Sequence, residues 1–446
     1  MGRVRPSAET ARSLIKGWYG AGLRAVDPKV AIKRVLIRDG TRLSIGSMTY
    51  DPGQDARIVG IAIGKAATEM ASGLSDVMGD RISRGIILTK DGHANHPPAN
   101  WDVFEASHPV PDERGVRATR AIMEALAGLG RGDLALVLVS GGGSALLEAP
   151  RTPMSLEDIQ ETTRLLLNAG APIQHLNAVR SELSLVKGGG MRRSMGDAAC
   201  VSLILSDVLG NDPTVIASGP TIARHPDPAT ALALLDSYDL TDRIPEAVVA
   251  MLRDPVAERE GQDTSGDCFV VVGDNDIFIE EVSQAAARDG VSGRIVLRLA
   301  EGEARDLALE FLRIVEEQPS GIEAIMGGGE ATVTVRGPGV GGRNTEFALA
   351  AAIALDERRL DWSIASLASD GQDGSIDAAG AVVDRFTVSR GREIGLDAHR
   401  YLDNNDSGEY LRRLGLLVEP GATGTNVNDV YVAVRLATAE CRVVER

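Results

Sequence analysis

The chain has 446 residues, 43% of them apolar but only 3% aromatic, and carries 47 basic against 63 acidic side chains, a formal charge of −16. That length exceeds one ordinary core, so two domains of about 100–200 residues each are expected. The acidic balance argues against sequence-independent nucleic-acid binding, and scarce aromatics remove the stacking platforms that bases need.

Three cysteines (Cys200, Cys268 and Cys441) are odd in number and far apart, which fits a reducing compartment without a disulfide framework. The longest apolar run, Phe347 to Leu355, has nine residues, too few to span a bilayer. The first residues turn amphipathic at once, with no signal-peptide apolar region. The expectation is a cytoplasmic enzyme.

In chain order, apolar residues at helical spacing from Ser7 to Val26 (Ala11, Leu14, Ile15, Trp18, Leu23) predict a helix capped by Ser7 or Thr10. Residues 34–46 read as a hairpin about Asp39-Gly40. From residue 58 strands alternate with helices: strands at 58–63, 85–89, 103–106, 134–139 and 200–205, helical patterns at 65–79, 113–129, 155–169 and 174–187. That alternation implies a parallel sheet. Asp254 to Asp267 is charged and turn-rich, the clearest linker. Beyond it strands are expected at 269–275, 294–299, 322–326, 331–336, 363–368 and 430–435, with Asp274 able to cap a helix ending near Gly290. The pair within 322–336 reads as a hairpin, which makes the second sheet mixed. The fold class is therefore α/β, with two α/β domains: one Rossmann-like with a parallel sheet (58–255), one with a mixed sheet (1–57 plus 256–446).

The most informative stretch is Leu134 to Pro150, LALVLVSGGGSALLEAP. A strand buried on both faces leads into Ser140, Gly141, Gly142, Gly143 and Ser144 and then a helical ALLEA. Such a turn presents bare backbone N–H groups to an anion; a tight βα turn with no ligand is the competing reading. Two further glycine triplets follow Lys187 (Gly188 to Gly190) and precede Glu330 (Gly327 to Gly329). GIAIGKA (60–66) misses the P-loop spacing but sets Lys65 past a buried strand at a helix start, where a cation opposes the dipole and calls for an anion.

Asp207 follows another buried strand, at the carboxyl edge where open α/β sheets bind ligands, and Asp212 lies five residues on. Two such carboxylates suit Mg²⁺ beside nucleotide phosphates, or Asp207 could take a proton from a hydroxyl; Asx turns are the alternative, more so for Asp212. Arg343 opens the alanine-rich helix after GPGVGG, where a guanidinium suits a carboxylate or a transferring phosphoryl group. Asp370, Asp373 and Asp377 make another acidic junction after a strand. Residues 421–434 form a Thr/Asn/Gly loop entering a strand. His93, His96 and His108 lack further zinc ligands and read as loop histidines.

Taken together, GIAIGKAA, SHPVPDERG, LVSGGGSALL, LNAVRSELSLVKGG, LSDVLGNDPTVIASGPT, GGGEATVTVRGPGVGGRNTEFALA, SDGQDGSIDAAG and GTNVNDV resemble the class II glycerate 2-kinase family, whose C-terminal part is the MOFRL domain and whose older label is hydroxypyruvate reductase. The resemblance implies ATP-dependent phosphorylation of D-glycerate at its 2-hydroxyl, with Mg²⁺, in a cleft between two α/β domains. It matches Lys65 and Arg343 to the essential Lys and Arg, and Asp207 and Asp370 to the acidic SDV and SDG positions. Ser140 to Ala145, Leu183 to Gly189 and Gly327 to Glu330 match the glycine-bearing segments.

The implied roles follow. Lys65, Arg343 and Asp207 are catalytic, with the two cations on opposite sides of the cleft. Ser140 to Ser144, Lys187, Gly188, Glu330, Asp274, Asn275 and Asn344 bind substrate or nucleotide, and Asp207, Asp370 and Asp373 hold the metal. Asn211, Thr345 and Ser369 depart from the family's usual Asp, Gln and Thr, which leaves the acid substrate open. The N-terminal helix and hairpin are expected to pack with the second domain. A homodimer is compatible with the family; D-glycerate is the expected partner, without nucleic acid or membrane. The competing enzyme, an NAD(P)H-dependent hydroxypyruvate reductase, would need a G-x-G-x-x-G fingerprint that none of the glycine runs supplies. A non-catalytic sugar-acid sensor would leave the acidic loops at Asp207 and Asp370 unexplained.

Overall fold

The computed structural model describes residues 5–222, 227–254, 264–319 and 321–437. Two compact units divide at Asp27/Pro28 and Gly273/Asp274. The unit 28–273 opens with a helix, Pro28–Val35, and a small antiparallel sheet of β1 (Leu36–Asp39), β2 (Arg42–Ile45) and β3 (Met48–Tyr50), turning at Gly40 as the Asp-Gly pair predicts.

Six parallel strands follow: β4 (Ile58–Ile63), β5 (Arg84–Lys90), β6 (Trp101–Ala106), β7 (Leu134–Val139), β8 (Ala199–Leu205) and β9 (Cys268–Gly273), in spatial order β6-β5-β4-β7-β8-β9. β4 and β7 are buried at every residue, the reason their sequences are unbroken apolar runs. The strand order reverses between these two neighbours, so the loops leaving their carboxyl ends flank the topological switch point. Helices Leu156–Asn168, Ile173–Leu183, Pro228–Ser237 and Glu246–Arg253 pack into a separate apolar cluster around Leu166, Val179, Leu235 and Val248.

The other unit begins with the expected N-terminal helix, Ala8–Ala25, whose first turn is capped by Ser7 Oγ. It packs on helix Asn275–Arg288, where Gly22 faces Phe278. The sheet here comprises β10 (Gly293–Glu303), β11 (Ala324–Thr332), β12 (Trp362–Ala368), β13 (Gly380–Asp384), β14 (Leu417–Val418) and β15 (Asp429–Arg435), in order β10-β11-β15-β12-β13-β14. Only β10 and β11 pair in parallel; β15 runs antiparallel between β11 and β12. The alanine-rich helix Arg343–Arg358 is buried against this sheet, small side chains allowing close approach.

Four expectations change. The hairpin expected within 322–336 is one continuous strand: Gly327 to Gly329 run inside β11, paired to β15, and a Cβ on Gly328 would lie 2.2 Å from Asn275 Oδ1. These glycines serve close packing, not an anion-binding turn. The sheet is mixed because β15 is antiparallel. The hairpin β1–β2 lies in the unit of the parallel sheet, apart from the N-terminal helix. β9 lies beyond the charged linker yet extends the parallel sheet by pairing with β8, so the division falls at 273 instead of 255. Most of that linker, residues 255–263, and Cys441 lie outside the described residues. Cys200 and Cys268 are free thiols, and no helix among the described residues is long and apolar enough to cross a membrane.

Candidate active site

In the parallel-sheet unit the switch point gathers four segments. β4 ends in Gly64 and Lys65, and β7 ends in the turn Ser140 to Ser144. The two are stitched together: Lys65 N donates to Gly141 O (2.9 Å), Ala66 N to Ser140 Oγ (3.1 Å) and Ser140 N to Ile63 O (2.9 Å). From the next strand, Asp207 reaches the same turn; a Cβ on Gly141 would lie 2.1 Å from its Oδ2. Gly142, at φ +87°, lies under the Lys65 stem and the His108 ring. Burial raises the Asp207 carboxyl above the ordinary range, and the nearby Lys65 ammonium only partly offsets this. Burial, then Lys65, pushes His108 down to about 4, so its imidazole is neutral. Among the described residues the Lys65 ammonium has no ion pair or hydrogen-bond partner.

Two of the loop histidines therefore belong to this region, which the zinc-spacing argument missed. His93 Nδ1 lies 3.2 Å from Lys65 O, and His108 lies beside Gly142. Their only sequence signal was proximity to turn-forming Pro and Gly.

Lys187 and Gly188 do not join the binding set. Lys187 is fully buried, its Nζ 2.9 Å from Glu148 and donating to Leu147 O at 2.6 Å, and burial pushes it down to about 8. The amides of Gly188 and Gly189 donate to Ser218 O and Gly219 O. This loop clamps a neighbouring turn in which Ala217, Ser218 and Gly219 all take positive φ (50°, 62° and 59°), a conformation costly for the two non-glycine residues.

In the mixed-sheet unit, Arg343 starts its helix held by a carboxylate from the 421–434 segment, Asp429, which carries no local signal of that role. Nε and NH2 donate to the two oxygens of Asp429 at 2.6 and 2.9 Å, and Asp429 is fully buried. NH1 stands 3.5 Å from Glu330 Oε1. Burial, the largest influence, works against the guanidinium charge, but the Asp429 hydrogen bonds together with the negative charges of Asp429, Glu330 and Asp373 outweigh it and raise its pKa. Asp429 begins β15, opposite the ends of β11 and β12, so only the antiparallel topology brings it to Arg343.

Several expected ligand residues in this unit are structural. Asp373, 1% exposed, accepts from Asn344 N, Thr345 N and Thr345 Oγ1 within 2.8 Å and so caps the Arg343 helix. Burial raises it to about 6. Both of its oxygens are engaged at this helix start. Asn344 is bound to Asp373 and Ser366, Asn275 donates to Val427 O and Asp429 O, and Asp274 caps its helix through Ile277 N. Asp370 accepts from Gln372 N in an Asx turn at the end of β12. No group of three or more His, Cys, Asp or Glu among the described residues could hold a metal ion.

The departures at Thr345 and Ser369 sit in buried hydrogen bonds, to Asp373 and Val427 N; Asn211, at φ +54°, suits the left-handed region that Asn tolerates.

The fold and these two clusters define a two-unit α/β protein that sets a cation at a helix start in each unit. The MOFRL family model matches residues 323–429, and a model described as a domain of unknown function (DUF4147) matches 14–253. The chain is 38% identical to D-glycerate 2-kinase of Thermotoga maritima, covering 85% of this chain and 90% of that protein. It is 35% identical to glycerate 2-kinase of Pyrococcus horikoshii, covering 93% and 95%. A protein of Agrobacterium vitis provisionally named hydroxypyruvate reductase is 36% identical over 94% of each chain. The crystal structure of glycerate kinase from Thermotoga maritima superposes with a TM-score of 0.86 at 34% identity, covering 96% of this chain and all of that one. The chain belongs to the class II glycerate 2-kinase family.

Proposed function

We propose that the protein transfers the γ-phosphoryl group of ATP to the 2-hydroxyl of D-glycerate. The observation that carries this reading is the meeting of Lys65 and Asp207 at the switch point, over a turn whose glycines let Asp207, His108 and the Lys65 stem come close to its backbone. The 2-oxygen attacks phosphorus, the bond to the β-phosphate oxygen breaks, and ADP leaves. Asp207 accepts the hydroxyl proton, a role its raised basicity suits. Lys65 and the amides of the 140–144 turn stabilise charge on the transferring group. Arg343, held in a fixed orientation by Asp429, binds an anionic end of a reactant.

Mg²⁺ enters as part of the nucleotide substrate. Among the described residues neither unit by itself presents a cluster of three or more metal-ligating side chains, so no step is routed through a resident ion; Asp370 remains the carboxylate proposed to meet it, the usual arrangement for a cation carried chiefly by phosphates. The small-molecule acid, with neither nucleic acid nor membrane, is the partner this reading names, and the cytoplasm its compartment.

Two parallel assays test it. With ATP, Mg²⁺ and D-glycerate the protein should release ADP; with hydroxypyruvate and NADH the absorbance at the nicotinamide band should stay flat. NADH consumption without ADP release would replace the kinase by the reductase.

A further inference from the structure

Behind the glycine turn lies a set of buried donors that the reaction described above does not use. Arg180 and Asn177, on helix Ile173–Leu183, are 8% and 5% exposed. Arg180 NH2 donates to Ser144 O at 3.0 Å, its one hydrogen bond among the described residues, while its Nε is buried without a partner. Asn177 Oδ1 accepts from Ser218 Oγ (3.0 Å), which lies 2.9 Å from Ser144 Oγ, and Asn177 Nδ2 is likewise buried and unpartnered. Buried donors without acceptors are uncommon and costly, and both orphans sit in one cluster at the end of the 140–144 turn.

The charges point the same way. Glu148 is the one carboxylate acting on both buried cations, Lys187 and Arg180. Lys187 takes its Oε2 in an ion pair, so the three groups together hold one positive charge in excess. A buried excess charge is expensive unless an opposite charge arrives. The strained Ala217–Ser218 turn, which places the Ser218 hydroxyl in this cluster, is the kind of backbone that persists at binding sites.

We propose that Arg180 and Asn177 form an oxyanion-receiving subsite behind the glycine turn. Resting on the kinase reading, this subsite takes either the carboxylate of the sugar acid or a phosphate oxygen of the nucleotide. Arg180 supplies the charge and its unpartnered Nε–H, and Asn177 a neutral donor beside it.

The test uses the full-length protein and the variants Arg180→Met, Arg180→Lys and Asn177→Asp, with thermal melting to select folded proteins. Binding of D-glycerate and of ADP is measured separately by calorimetry, and KM for D-glycerate and ATP from initial rates. Loss of charge-assisted hydrogen bonds should weaken one anion by about 10–100-fold in Arg180→Met. Asn177→Asp, which adds a repelling carboxylate, should weaken the same one, and Arg180→Lys should recover part of the loss. A shift confined to D-glycerate assigns the subsite to the carboxylate, and one confined to ADP and ATP to the phosphate. Unchanged affinities and KM values in the folded variants, or a fall in kcat alone, would overturn the subsite and leave Arg180 a prop for Ser144. Should the wild-type protein bind these anions yet transfer no phosphoryl group, the kinase reading fails while the variants still decide the subsite by calorimetry.

Discussion

The two units treat their candidate-site cations in opposite ways. Arg343 is locked by two hydrogen bonds to a fully buried carboxylate, with a second acid, Glu330, beside it. Lys65 stands over bare glycines, faced by an Asp207 whose own charge is disfavoured by burial. The mixed-sheet half is thus rigid and acidic on balance, while the parallel-sheet half leaves its cation available to an incoming anion. Phosphoryl transfer needs an uncommitted charge where charge develops, and the proposed function places the chemistry on the Lys65 cluster for that reason.

The sharpest way to break that contrast is Lys65→Ala, which should lower kcat by about a thousandfold or more while leaving the melting temperature within a few degrees. Near-normal turnover would remove Lys65 from the chemistry. Asp207→Asn comes next, with an expected loss of about 10²–10⁴-fold in kcat. Because burial raises the Asp207 pKa, its proton-accepting form is lost at a higher pH than for an exposed Asp. The acid limb of kcat/KM should lie correspondingly high and disappear in Asp207→Asn. The linked stability has the opposite sense to an ordinary salt-bridged Asp: the ionised buried form is unfavourable above the raised pKa, and protonation relieves this as pH falls through it.

Asp429→Asn tests the rigid side. It should raise KM by about 10–100-fold, since the bidentate charge-assisted pair loses its charge, and lower kcat less than either change near Lys65. A larger fall in kcat than Asp207→Asn gives would reverse the assignment. The smallest expected effect is Asp373→Ala, which removes a helix cap and should cost about 1–2 kcal/mol of stability in denaturant titration, with kinetic constants near wild type.

Much of this was legible in the sequence for a simple reason. Lys65, Ser140 and Asp207 each follow a buried, predominantly apolar strand, and a parallel sheet places the ends of such strands together. Asp429 was hidden because it begins its strand, and only antiparallel insertion of β15 between β11 and β12 carries it to Arg343. Gly327 to Gly329 were misread since a triplet has the same letters whether it turns or lies in a crowded strand. Lys187 looked like a ligand-binding cation because nothing local marks Glu148, 39 residues earlier, as its partner. Arg180 and Asn177 lie inside a helix with no glycine or strand end to flag them. The edge strand β9 follows a charged linker, and composition alone put it on the wrong side of the division.

Phosphorus NMR of the product formed from ATP and D-glycerate, recorded with the wild-type protein and with Lys65→Ala, tests the account most directly. The wild type should give a phosphate monoester split into a doublet by a single methine proton, and the variant almost none over the same interval. A triplet from a methylene neighbour would contradict transfer to the 2-hydroxyl, and equal product from Lys65→Ala would contradict the assignment of the chemistry to that side.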